Sequence, residues 1–300
     1  MRSLLWSLVF CLSPGLLRAQ ASIVSDLWRV ASGTLLVPAA LANDGSASLW
    51  TPAAALTGDQ RFQVGVEAIN SPTEVGVTGG ILAFSAHTHG LGTINASYGR
   101  LGIGNVGYTE TSPEIVGSAI DIYSQIMSLG LAGQVAPGLT GGVALRYLSG
   151  RLGFESRSQL GLDFGAQFQP NERLRLGATT HFFDPTFGSS QQASSYSLGA
   201  EYRTRSLNAW GTPATLALRG GFTAAHGDEQ SLLLTSGLVL GPSLLVDAGA
   251  AYEHTHADAV WRSRLGVGVA TGPFIARVAR DGGVNGFGAT YRFSLTAVFK

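Results

Sequence analysis

The sequence predicts an all-β transmembrane barrel, an antiparallel sheet of about fourteen strands with an N-terminal segment in its lumen or on its periplasmic side. Three observations predict it. The chain is 45% hydrophobic yet only 13% charged, whereas soluble domains carry about 25% charged residues. Past the first twenty positions it is never continuously apolar for the span of about 20 residues that a membrane helix needs. From about residue 60 onward, apolar and polar residues alternate with the period of a strand whose two faces meet different surroundings.

The alternation can be read directly. Phe62, Val64, Val66 and Ala68 are interleaved with Arg61, Gln63, Gly65 and Glu67. Leu160, Leu162, Phe164, Ala166 and Phe168 are interleaved with Gln159, Gly161, Asp163, Gly165 and Gln167. Tyr196, Leu198, Ala200 and Tyr202 repeat the pattern, as do Leu244, Val246, Ala248, Ala250 and Tyr252. A soluble sandwich also alternates, but its strands usually run to about 5–6 residues, and these run to about 9–11, the reach of a tilted membrane strand. Glycine is abundant, at 41 residues, as expected of a large barrel whose bore does not need filling. Aromatic residues fall at strand ends, where interfacial girdles form: Tyr98, Tyr147, Phe168, Phe182, Tyr196, Tyr202, Phe222, Tyr252, Trp261 and Phe274.

Connections alternate too. Short links are expected at 86–90, 137–138, 170–171, 241–242 and 272–273, and longer polar ones at 104–117, 150–157, 184–193 and 225–230. Short periplasmic turns opposite long outer loops are the habit of bacterial barrels. The link at 204–213 is too long for that scheme. The last strand carries Tyr291, Phe293, Leu295, Ala297 and Phe299 on one face, opposite Arg292, Ser294 and Thr296. It resembles the terminal signal that barrel-assembly machinery reads, although Lys300 follows the final aromatic.

Residues 1–21 read as a secretory leader. Arg2 supplies the positive start, Leu4 to Leu17 the apolar stretch, and Ala19-Gln20-Ala21 the small-residue cleavage site. The single cysteine, Cys11, lies inside it, and its flanks do not resemble a lipoprotein box. Its removal leaves no disulfide or thiolate chemistry. Residues 22–59 lack the period of two and form the segment expected inside or beneath the barrel, with a short helix from Pro52. Residues 60–300 form the barrel. Such a chain belongs in a cell outer membrane, with lipid and the assembly machinery as partners.

Lys+Arg and Asp+Glu both number 19, with no basic cluster, so nucleic acid is not an expected partner. The strand charges Glu67, Arg146, Asp163, Arg175, Glu201, Arg203, Arg219, Asp247, Glu253, Arg262, Arg264, Arg277 and Arg292 nearly all fall on the face opposite the lipid. An arginine on the lipid face at mid-membrane costs about 2–4 kcal/mol, which explains the parity. Two roles are open to these lumen-facing residues: a salt-bridge lattice bracing the wall, or a charged constriction that selects permeants. An apolar ligand would find only Leu233, Leu245, Val260 and Trp50 on the inner parity. His87, His89, His254 and His256 read as solvated turn residues without further ligands at zinc spacing. His181 has lumen-facing parity, but the sequence places neither a serine nor a carboxylate beside it. No enzyme activity, metal or cofactor is expected.

The stretch Thr51-Pro52-Ala53-Ala54, preceded by Trp50, resembles the Asn-Pro-Ala-Gly-Leu-like stretch near the mature N-terminus of PorV/PorQ-like outer-membrane proteins, which are themselves similar to FadL-type hydrophobic-compound transporters. Here the asparagine and glycine are missing. The succession 93–104, 125–134, 141–148 and 159–167 follows that family's order, and the likeness spans most of 35–185. The resemblance implies a fourteen-stranded FadL-like barrel with a luminal N-terminal segment. It implies transport of small hydrophobic molecules, or, on the PorV-like branch, a secretion-associated barrel that binds or shuttles exported cargo proteins. An outer-membrane hydrolase is the remaining alternative.

Overall fold

A computed structural model describes residues 23–71, 76–106, 120–153, 155–181, 195–209, 211–225, 230–254, 259–283 and 288–300. The expected leader, with Cys11, and Phe182 of the expected girdle lie outside the described residues. Two helices, α1 (Ile23–Gly33) and α2 (Ala47–Trp50), precede the strands, with a single 3-10 turn at Ala39–Leu41 between them. The strands are β1 (Phe62–Asn70), β2 (Val77–Thr88), β3 (Gly92–Val106), β4 (Ile120–Ala136), β5 (Leu139–Leu152), β6 (Glu155–Phe168), β7 (Leu174–His181) and β8 (Ser195–Arg203). They continue as β9 (Leu207–Ala209), β10 (Thr212–Ala224), β11 (Gln230–Leu240), β12 (Leu244–His254), β13 (Ala259–Thr271), β14 (Phe274–Asp281) and β15 (Thr290–Phe299).

Each strand pairs antiparallel with its neighbours, and β1 pairs with β15, so the sheet closes. β8 and β9 both pair with β10, in one line interrupted at 204–206. They make one staff of a fourteen-stranded barrel. That break accounts for the overlong link at 204–213: its middle residues remain in the sheet. The expected long loop at 150–157 is overturned. β5 and β6 stay paired to Leu152 and Glu155, which leaves a tight hairpin around Gly153 at φ 63°. The polar residues there made the strand tips look like a loop, but hydrogen-bonded strands continue past the apolar band.

The outer face is apolar. Val66, Leu82, Leu129, Leu145, Leu162, Leu198, Leu218, Leu265 and Leu295 are exposed, while their chain neighbours on the inner parity are buried or half-buried. Such a surface is stable only in lipid. Aromatics collect at both rims. Phe62 stacks on Phe299 at 4.5 Å at the short-turn end, and Tyr252 meets Trp261 at 5.2 Å at the other.

The bore is not empty. The chain from α1 to Thr57 runs through it, from the outer half toward the short-turn end, before entering β1. The expected helix from Pro52 is corrected: α2 ends at Trp50, because a proline drives the residue before it into extended backbone, and Thr51 sits at φ −147°, ψ 124°. The glycines also have a different reason from the one expected. Many that point inward are seats for this segment. A Cβ on Gly142 would come within 2.0 Å of the Pro52 carbonyl oxygen, and one on Gly65 within 2.4 Å of Gly45. A Cβ on Gly177 would meet Ala40, and one on Gly266 would meet Leu36.

The substitution Gly142→Ala is expected to unseat residues 52–53, at about 1–3 kcal/mol, the usual penalty for overpacking. Protease digestion of the folded protein should then cut residues 22–57 faster, while the heat-dependent shift in gel mobility that marks an intact barrel persists.

Candidate functional site: the anchored segment in the lumen

Irregular backbone at membrane depth needs every carbonyl satisfied by protein or water. The wall supplies those partners. Arg146 donates to the Leu49 carbonyl at 2.9 Å, Arg175 to Leu41 at 2.7 Å and Arg264 to Leu35 at 2.9 Å. Gln167 donates to the Ala40 carbonyl, Thr235 to Leu36 and Asn95 to Ala54. Arg292 donates to the Ser46 hydroxyl at 2.8 Å and stands 5.6 Å from the Trp50 ring, within cation–π range.

The sequence-expected lumen charges other than Arg277, which lines the polar cavity at the short-turn end, stand in four groups. Arg146 pairs with Asp163, and both are buried. Glu67 pairs with Arg292 at 2.5 Å. Glu201 receives Arg175, Arg203 and Arg219, and Arg219 also reaches Asp247 at 2.7 Å. Arg262 bridges Glu253 at 2.5 Å and Asp281 at 3.0 Å; Arg264 shares Asp281, and Arg29 of α1 joins through Glu253 at 3.2 Å. Each group thus braces neighbouring strands and, at the same time, presents a cation to the luminal segment. Burying such charges is tolerable because each is paired with an opposite charge on a neighbouring element.

Trp50, Pro52 and Ala53 sit where the segment meets β5 to β7. Trp50 is packed edge-on against Trp28, ring centroids 6.4 Å apart, and Pro52 and Ala53 rest on Gly142 and Gly165. His181 has partners the sequence did not reveal. Its Nδ1 lies 2.8 Å from Asp163 Oδ2 and its Nε2 lies 2.9 Å from the Trp50 carbonyl oxygen. The acid and the imidazole are adjacent, as in a hydrolase, but a backbone carbonyl stands where a nucleophile would be.

Sequence parity also missed an apolar patch on the inner wall. Ile69, Val77, Ile81, Leu101, Ile126 and Leu148, from β1 to β5, form one buried cluster with Leu27, Trp28, Leu49 and Trp50. The signal was present, since each of these residues is apolar on the parity that otherwise carries charge, toward the outer half of its strand. Of the earlier candidates, Leu233 is buried elsewhere on the wall and Leu245 leans on Gly268. On the other side of the segment the lumen turns polar. A cavity of about 660 Å³ at the short-turn end is lined by Gln63, Gln134, Gln167, Arg173, Arg203 and Arg277, among others. Among the described residues, no group of acidic, histidine or cysteine side chains is arranged to hold a metal.

The substitution Asp163→Asn removes the carboxylate between Arg146 and His181, and breaking a buried pair costs about 3–5 kcal/mol. Denaturant unfolding in lipid vesicles should show that loss. Lys300→Ala, which removes the exposed pair with Asp59, should leave the midpoint in place.

No family model and no curated relative matches the chain. Solved structures do. A FadL homologue of Pseudomonas aeruginosa aligns over 95% of this chain and 99% of its own, with a TM-score of 0.53 at 13% identity. The toluene transporter TodX of P. putida aligns over 85% of this chain and 92% of its own, with a TM-score of 0.51 at 12% identity. The toluene transporter TbuX of Ralstonia pickettii aligns over the same shares, with a TM-score of 0.50 at 12% identity. At such identities the likeness is one of fold. With its closed sheet and apolar outer wall, the chain is an outer-membrane β-barrel similar in fold to FadL-type transporters.

Proposed function

We propose that this barrel is a conduit for small hydrophobic molecules, closed by its own N-terminal segment. The observation that carries the reading is the apolar patch of Ile81, Leu101, Ile126 and Leu148 facing Leu27 and Trp28. A polar permeant gains nothing from such a wall. An apolar one takes the place of Leu27 and Trp28 without losing contact area, at about 25 cal/mol per Å² of surface kept from water. The fold likeness to toluene transporters supports the same reading. In this reading residues 1–21 are a leader removed on export, residues 22–59 the closure, and residues 60–300 the conduit wall. The buried charges hold the closure rather than sort ions, since both signs alternate around the wall. Lipid and the barrel-assembly machinery are its partners.

Purified protein in lipid vesicles should speed entry of toluene several-fold over empty vesicles and leave glucose entry unchanged. Ile126→Asp should remove most of that gain. If toluene enters no faster than through lipid alone, the conduit reading is wrong. If exported proteins co-purify with the barrel at the same time, the PorV-like role in secretion takes its place.

A further inference from the structure

The histidine in the lumen carries more than packing. At the C-terminal end of α2, the carbonyls of Leu49 and Trp50 have no partner within the helix. The wall caps both. Arg146 donates to the first and His181 Nε2 reaches the second. Asp163 stands behind the two caps, bonded to both.

A carbonyl only accepts, so Nε2 must carry a proton. Asp163 is paired with the Arg146 guanidinium, so it is a carboxylate and also only accepts, and Nδ1 must carry a proton as well. The seated ring is therefore an imidazolium. From the wall it faces Asp163 of β6, with Arg146 of β5 behind. Further along β7 and β8 the charged residues are Arg175, Glu201 and Arg203, with both arginines engaged by Glu201, and the remaining ionisable side chains are Tyr196 and Tyr202. From the luminal segment it meets a backbone carbonyl, and residues 47–54 contain no ionisable side chain.

We propose that His181 is a protonation-dependent latch: charged, it pins the Trp50 carbonyl to the wall, and neutral, it releases that carbonyl from β7 and loosens the chain that follows it. Imidazole is the side chain that ordinarily changes charge between about pH 5 and 8. A neutral ring has one proton for two acceptors, so either Trp50 or Asp163 is left facing a lone pair. The sign follows. The seated state holds a proton that the released state does not need, so seating is complete in acid and weakens as pH rises. The inference rests on the proposed reading of residues 22–59 as the closure, and it concerns the movement of that closure rather than what passes.

A nitroxide at Ala55→Cys, in a Cys11→Ser background, reports that movement, because Ala55 lines the polar cavity beside the segment. In vesicles the spectrum should be immobilised near pH 5.5. By about pH 8.5 the mobile-to-immobile ratio should rise about ten-fold, the worth of one charge-assisted hydrogen bond. His181→Gln should give one spectrum at every pH. His181→Lys, whose ammonium ordinarily stays charged over this range, should stay immobilised throughout and decides the matter if the glutamine variant does not fold. A wild-type spectrum unchanged by pH overturns the latch, as does a pH response that persists in either variant. Absence of toluene entry alongside an intact spectral shift would instead sink the conduit reading and leave the latch standing.

Discussion

Everything inside this barrel depends on one constraint: a non-helical backbone lying at membrane depth cannot leave its carbonyls unmet. Lipid offers no donors, and the carbonyls of Leu35, Leu36, Ala40, Leu41, Leu49, Trp50 and Ala54 are met by the wall. The wall therefore carries donors wherever that segment passes: Arg264 and Thr235 on one side, Gln167 and Arg175 on another, Arg146 and His181 on a third. Donors of such strength are mostly cations, cations at that depth need counter-charges, and the counter-charges come from adjacent strands. The salt-bridge lattice is thus the second half of a solution whose first half is the segment's path.

That view joins features that look separate. Alternation keeps Arg146, Arg175, Arg219, Arg264 and Arg292 off the lipid face, the glycines let the segment's backbone approach the sheet, and the antiparallel register puts Asp163 beside His181 and Glu201 beside Arg219. The patch on β1 to β5 is where the rule relaxes. There the luminal segment is helical, its carbonyls are satisfied along α1, and the wall opposite can be apolar. Polarity inside the bore follows the local hydrogen-bonding needs of the segment that fills it. The conduit proposed here would pass its cargo along the stretch where those needs are smallest.

Much of the architecture was legible in the residues. Periodicity from Phe62 onward placed the strands to within a few residues, and face parity sorted Glu67, Arg146, Asp163 and Arg292 from Val66, Leu145, Leu162 and Phe293 because the cost of a charge in lipid enforces that separation. Pairing could not be read the same way. Which carboxylate meets which arginine, or in the case of Asp163 which histidine, depends on the register between neighbouring strands, which no spacing within one strand announces. The strand tips at 150–157 were misread because polarity there marks exposure to water and not the end of hydrogen bonding. The glycines were misread for a different reason. A missing side chain looks the same whether the space beside it is empty or occupied by another stretch of backbone, as at Gly142 and Pro52.

The seats cut for residues 35–53 lie on strands distributed around the whole circumference, from Gly65 on β1 to Gly266 on β13. The ring closes only when the last strand, β15, meets the first, β1. A peptide held on so many sides cannot be withdrawn from the finished cylinder without breaking most of its anchors at once. Freeing one stretch costs only that stretch's anchors, so a plug seated this way yields piecemeal rather than leaving as a cork.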